Sequence, residues 1–355
     1  MINIITQEFR PQTFKEVAGQ DLVKELLKAI VKKPESSPKT LILQGEYGTG
    51  KTTCARILAR ALNCQNRTKD GDACGHCDFC KSNIENTIFY EEFDSAMIGN
   101  VNDIKDLKDT FYFDKSIGYK VIVLDEAQLM TQQAQSALLK VLEESISGIF
   151  FVLCTTHIDK ILPTIRSRSL KLRFDLIKEE DIKTNIKSII DSKNVSVDDS
   201  IISLIANRCQ GHLRDAHMLL DEYLLLGEEQ FKKLVQSSEE LYYKLILASL
   251  KGDLNLIKKI IEALQCFPIY VLKNDYEITV LNIIKVGLKT EKTDNVYLNT
   301  IVNFFNERIF KLIDVLNNKR IYEMFTSDKR FQAAMYILVK DISQLKKWGD
   351  LKFDR

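Results

Sequence analysis

"GEYGTGKT", residues 45–52, decides how this 355-residue chain is read. It matches the spacing G-x-x-x-x-G-K-T, and both flanks fit. The apolar run TLILQG (40–45) before it reads as a buried strand. KTTCARILARALN (51–63) after it reads as a helix, with small and apolar residues at helical spacing. A strand that turns through glycines into a helix can point its backbone N–H groups inward around phosphates. Gly45, Glu46, Tyr47, Gly48, Thr49 and Gly50 are then the cradle, with Thr53 in the first helical turn. Lys51 supplies a point charge for the β- and γ-phosphates, and Thr52 offers a hydroxyl to Mg²⁺. A glycine-rich turn that happens to hold a lysine would explain neither flank. The expected ligand is a nucleoside triphosphate.

Downstream, KVIVLDEA (120–127) is a second buried strand that ends on Asp125 and Glu126. An acidic pair at the C-terminal edge of such a strand suits a Mg²⁺-organising Asp125 and a water-activating Glu126. The alternative is a pair that merely caps the next helix. TQQAQSALLKVLEES (131–145) reads as a helix with Thr131 as N-cap, and GIFFVLCTT (148–156) as a third strand. Apolar strands separated by helices imply an α/β fold, a mostly parallel sheet covered on both faces. From about 174 the strands stop. The expected domains are a nucleotide-binding domain over 1–173, a small helical lid over 174–227, and a helical domain over 228–355.

Charge excludes little. Fifty basic against 49 acidic residues leave a net +1, so contact with nucleic acid would need a local stripe rather than bulk charge. The N-terminal MINIITQEFRPQTF has no basic-then-apolar leader pattern, and no apolar run approaches a membrane span. The expectation is a cytoplasmic protein with no membrane partner.

Four of the eight cysteines crowd into CQNRTKDGDACGHCDFC (64–80), while Cys54, Cys154, Cys209 and Cys266 are scattered. Cys64, Cys74, Cys77 and Cys80 have the spacing C-x9-C-x2-C-x2-C. Two-residue gaps let neighbouring thiolates turn onto one centre, and Cys64 completes a tetrahedron around Zn²⁺. Four protein ligands leave no place for water, which makes the centre structural. The helix from Lys51 puts it about 18 Å from the phosphates at 1.5 Å per residue. A bacterial ferredoxin run would place a further cysteine where Ile84 stands. Reduced free thiols, and His76 as a substitute ligand, remain alternatives.

Further motifs follow in order. EFRPQTFKEVAGQDLV (8–23), DEAQLMTQQAQSALLKVLEE (125–144), LCTTHIDKILPTIRSRS (153–169) and GHLRDAHMLLD (211–221) resemble the boxes of AAA+ clamp-loader ATPase subunits. With the cysteine cluster, the chain is similar to the gamma/tau subunits of bacterial DNA polymerase III, over residues 8 to about 225. The resemblance implies roles. Arg10, Pro11 and Val17 would cradle adenine. Thr156 would be sensor 1, a hydroxyl near the γ-phosphate, and Arg214 sensor 2. Arg168 would be a finger acting in trans on a neighbouring subunit's ATP. Each has a plainer reading, as a loop-capping threonine or a solvated arginine. Three departures mark a divergent member, of a kind a phage could encode. Ser169 replaces the motif's cysteine, Gln128 stands where a histidine is usual, and EESISG (143–148) lacks the usual prolines.

The expected function is that of a DNA-dependent ATPase subunit of a sliding-clamp loader. Its partners would be other loader subunits in a homo- or hetero-oligomer (a pentamer by resemblance), a sliding clamp, and primer–template DNA bound without sequence preference. Lys140 would relay DNA contact to Glu126, or be a solvated helix lysine. In the family the C-terminal domain forms an oligomerising collar, whereas LYYKLILASL (241–250) and AAMYILVKDI (333–342) could equally be that domain's own core. The chain ends at Arg355, which sets the expectation that polymerase- and helicase-binding regions are lacking. The alternatives are another AAA+ DNA motor, such as a branch-migration helicase, and a stator-like subunit that does not hydrolyse ATP. Intact Lys51, Thr52, Asp125 and Glu126 argue against the stator.

Overall fold

The computed structural model describes residues 4–98, 103–104, 113–144, 147–265, 267, 269–290, 292–293, 295–305, 309–324 and 328–345. The chain divides into two compact units, Met1–Asp221 and Glu222–Arg355.

The first unit is built on five parallel strands, β1 (Thr40–Gln44), β2 (Tyr90–Asp94), β3 (Lys120–Asp125), β4 (Ile149–Thr155) and β5 (Leu170–Arg173), in the order β2-β3-β4-β1-β5. Side chains alternate across a strand, so each central strand feeds two cores. Leu41, Leu43, Val121, Val123, Phe150 and Val152 pack on one face, against helices α2 (Asp21–Lys32) and α3 (Lys51–Leu62). Ile42, Ile122, Leu124, Phe151 and Leu153 pack on the other, with Leu138 and Val141 of α5 (Gln132–Glu143). The hydroxyl of Thr131 accepts the Ala134 N–H at 3.2 Å and caps α5, a contact worth about 1 kcal/mol.

The edge strands β2 and β5 escape the sequence reading. LKLR alternates apolar with charged residues and YEEFD carries two adjacent glutamates, because an edge is only half covered.

Register sets the site. Gln44 pairs with Thr155 and Asp94 with Asp125, so the C-terminal ends of the strands carry the polar residues along one edge of the sheet. Short helices α1 (Ile4–Glu8) and α4 (Asp78–Lys81) lie in the N-terminal and cysteine-rich segments, and α6 (Pro163–Arg168) precedes β5. After β5 the chain is helical: α7 (Glu179–Lys193), α8 (Asp199–Arg208) and α9 (Leu213–Leu226).

Among the described residues the second unit has only helices: α10 (Glu228–Lys251), α11 (Leu254–Leu264), α12 (Ile269–Gly287), α13 (Val296–Phe305), α14 (Ile309–Leu316), α15 (Lys319–Glu323) and α16 (Asp328–Leu345). The two apolar stripes noted in the sequence enter its core, through Tyr242, Leu245 and Ile246 of α10 and Ala334, Leu338 and Ile342 of α16. Tyr242 and Tyr276 are fully buried, and each donates its hydroxyl to a backbone carbonyl, of Leu272 and Leu316, at 2.8 Å. Among the described residues no helix is long and apolar enough to cross a membrane.

Candidate active site

The phosphate loop leaves β1 at Gly45, whose N–H bonds the Thr155 carbonyl at 3.1 Å. A Cβ at Gly45 would lie 2.4 Å from the Phe174 carbonyl oxygen, so only glycine fits there. Gly48 and Gly50 turn the loop at φ +69° and +98°, and Gly50 is the N-cap of α3. Thr49 is buried and donates to the Glu46 carbonyl at 2.7 Å. Lys51, also buried, folds back onto the carbonyls of Gly45 and Glu46 at 2.9 and 2.8 Å. Burial lowers the pKa of its ammonium, against the pull of Cys154, Glu126 and Asp125. A buried ammonium resting on two carbonyl oxygens is well placed to receive a polyphosphate.

Opposite the loop, Thr52 donates its hydroxyl to Asp125 Oδ2 at 3.2 Å. Burial raises the Asp125 carboxyl above its ordinary value, and the Glu92 and Glu126 charges add to the rise. A hydroxyl beside a carboxylate that gains from a cation is a hard-oxygen donor set, and it fits Mg²⁺.

One pocket is lined by Tyr47 to Thr53, Asp125, Glu126 and Arg214, and also by Arg10, Pro11 and Val17. Of the nucleotide residues expected from the sequence, Gly45, Glu46, Thr156 and Arg168 are outside this lining. Thr156 meets Glu126 through a side chain, Gln128. Gln128 Nε2 donates to Glu126 Oε2 and to Thr156 Oγ1, the latter at 3.1 Å. Arg168 and Lys140 lie outside the pocket lining, both exposed. Arg168 pairs with Glu143 at 3.0 Å and bonds the Thr164 carbonyl at 3.2 Å.

Three features have no signal in a local motif. Tyr47, at the loop tip, stacks on His212 with ring centroids 4.2 Å apart, and its hydroxyl donates to Asp215 Oδ2 at 2.8 Å. The loop is thereby tied to the start of α9, where Gly48 lies against Arg214. His217, buried on α9, contacts Thr6 Oγ1 at 3.3 Å and Asn185 Oδ1 at 2.8 Å; burial pushes its pKa down to about 4. Asp72, inside the cysteine segment, accepts the N–H groups of Phe14 and Lys15, each at 2.9 Å. Asp72 is buried, and it pins the segment that carries Arg10, Pro11 and Val17.

The four cysteines converge. Their sulfurs all lie within 4.8 Å of one another, with separations of 3.5 Å (Cys64–Cys80), 3.8 Å (Cys74–Cys80) and 4.0 Å (Cys64–Cys77). Zn–S bonds of about 2.3 Å in a tetrahedron require sulfurs about 3.7 Å apart. Backbone N–H groups of Cys74, Cys77 and Cys80 donate to the sulfurs of Cys64, Cys74 and Cys77 at 3.3 to 3.4 Å. Burial opposes ionisation of Cys77, yet donated N–H groups from Cys80 and Gln65 bring that thiol down to about 6. The donor set is compatible with zinc. His76 turns its Nδ1 to the Cys74 carbonyl at 2.7 Å. Cys54, Cys154 and Cys209 are buried singly, and Cys266 lies outside the described residues.

Residues 19–178 match the family model described as DNA polymerase III, delta subunit. The chain is 36% identical over 224 residues to the DNA polymerase III subunit gamma/tau of Mycoplasma genitalium, covering 62% of this chain and 37% of that protein. It is 35% identical over 227 residues to the DNA polymerase III subunit tau of Bacillus subtilis, covering 63% and 40%. It therefore spans well under two thirds of these relatives. The Holliday junction branch migration motor RuvB of Thermotoga maritima superposes with TM-score 0.50 at 19% identity, over 67% of this chain and 79% of RuvB, a likeness of fold alone. In its nucleotide-binding region the chain resembles an AAA+ clamp-loader subunit of the gamma/tau kind.

Proposed function

We propose that this chain is the ATPase subunit of a sliding-clamp loader, coupling ATP binding to clamp opening and DNA-triggered hydrolysis to clamp closure on primer–template DNA. One observation carries the reading. A single pocket gathers the phosphate loop, Asp125, Glu126 and Arg214, while Arg168 stands exposed outside it. An arginine that its own pocket does not use suits a charge lent to a neighbour's ATP, where such fingers raise turnover by about 10³ to 10⁵.

Within the site, Lys51 and the loop N–H groups hold the phosphates, and Arg214 reaches them from α9. Thr52 and Asp125 would hold Mg²⁺, which neutralises charge on the phosphate oxygens when bound. Glu126 takes a proton from the attacking water as its oxygen bonds to the γ-phosphorus and ADP leaves. Thr156 senses the γ-phosphate, and Arg10, Pro11 and Val17 hold the base. Cys64, Cys74, Cys77 and Cys80 would hold a structural zinc that takes no part in the chemistry.

Residues 1–173 then form the nucleotide-binding domain, 174–227 the lid and 228–355 the collar. Partners are other loader subunits, in a pentamer by family likeness, a clamp, and primer–template DNA inside a bacterial cell. Lys140, exposed on α5, is the candidate DNA relay.

The test is ATP turnover with and without primer–template DNA and a clamp, for wild type and Arg168→Ala. Stimulation by both ligands is expected, with a fall of about 10³-fold in the variant and ATP binding retained. A rate indifferent to DNA, clamp and Arg168 would overturn the reading, and strand displacement would point to a branch-migration motor.

A further inference from the structure

The residue after the acidic pair and Ala127 does more than continue the turn. Glu126 sits at φ +50°, a left-handed conformation for a non-glycine residue. That kink turns the chain out of β3 and brings Gln128 back against the end of β4. There the amide is used at both ends. Gln128 Oε1 accepts the Thr155 hydroxyl at 2.6 Å and the Thr156 N–H at 3.3 Å. The Thr156 N–H is a backbone donor that cannot be reversed, so the oxygen side of the amide is fixed. The nitrogen side must then face the carboxylate, and it donates to both Glu126 Oε2 and Thr156 Oγ1.

We infer that Gln128 is a positioning residue for hydrolysis: its amide ties the Glu126 carboxylate to the Thr156 hydroxyl, so that the water-activating base and the γ-phosphate sensor are set together. The inference rests on the ATPase reading above. Two chemical consequences follow. With Oε2 accepting from the amide, the carboxylate is held in one orientation, and lone pairs remain on its oxygens for the water's proton. With Thr156 Oγ1 accepting from the amide, its own proton points outward, to His157 Nδ1 2.8 Å away or to an arriving phosphate. A residue that holds a base within reach of its proton acts on the chemical step rather than on substrate affinity.

The experiment uses the full chain, wild type beside Gln128→Ala and Gln128→Glu, and reads kcat, KM and the Kd of a fluorescent ATP analogue. Gln128→Glu keeps an acceptor for Thr155 and for the Thr156 N–H but sets an acceptor against Glu126. It therefore separates support of β4 from positioning of the base. Both variants are expected to lose about tenfold or more in kcat, with KM and Kd within about twofold of wild type. Full turnover in Gln128→Glu, or a rise in KM and Kd at unchanged kcat, would overturn the inference and leave Gln128 a structural brace. These rates are read with primer–template DNA and a clamp present, and absence of turnover in the wild type under those conditions would remove the ATPase reading, and this inference with it.

Discussion

Helix α3 carries a site at each end, and the two are built on opposite plans. At Lys51 the polar groups surround a space: an ammonium on carbonyl dipoles, a carboxyl raised by burial, a hydroxyl between them. Each gains from something that arrives. About 18 Å away at 1.5 Å per residue, the chain runs on from Leu62 into four sulfurs that close on one another and on backbone N–H groups. Reactivity needs groups held in place yet left short of a partner, and a brace needs its groups satisfied. Both ends reach the same N-terminal segment. Gln20 donates to the Thr49 carbonyl at 3.4 Å from one side, and Asp72 accepts from Phe14 and Lys15 at 2.9 Å from the other.

The largest expected effect tests the open end. Glu126→Gln keeps the shape of the pocket and removes the base, so kcat should fall by about 10² to 10⁴ while nucleotide affinity stays unchanged. Retained turnover would show that Glu126 is not the base. A middle-sized effect concerns His217, which joins Thr6 to Asn185. Burial brings its pKa down to about 4, below the 6.5 of a free imidazole. A buried neutral imidazole contributes stability that is complete above 6.5 and lost as pH falls toward 4. The loss should reach about 3 kcal/mol between pH 7 and pH 4. Urea unfolding at the two pH values, for wild type and His217→Gln, measures it; an equal pH slope in both proteins would contradict the assignment.

Legibility in the sequence follows the same division between local and distant. The central strands are continuous apolar runs because both faces are covered, and they could be read directly. β2 and β5 lie at the edges, where half-exposed, charge-rich strands look like loop. The phosphate loop and the Asp125–Glu126 pair are contiguous motifs, and the four cysteines announce themselves by spacing. Gln128 shows in the sequence only as a departure from a usual histidine, because its partners Thr155 and Thr156 lie at the end of the neighbouring strand β4. The Tyr47–His212 stack and the Asp72 tie join residues 165 and 58 positions apart. Periodicity and spacing carry no trace of such pairs.

The smallest expected effect bears most directly on whether chemistry and bracing are separated along α3. The measurement is kcat and KM for ATP of the full chain before and after metal is stripped from the cysteine site, beside Asp72→Ala with its metal content determined. Loss of a charge-assisted hydrogen bond to the segment proposed to hold the base is worth about tenfold in affinity. KM should therefore rise by about that factor in both samples while kcat holds within about twofold, with Asp72→Ala still carrying its metal. A fall in kcat at unchanged KM would contradict the account, because the cysteine end would then be part of the chemistry.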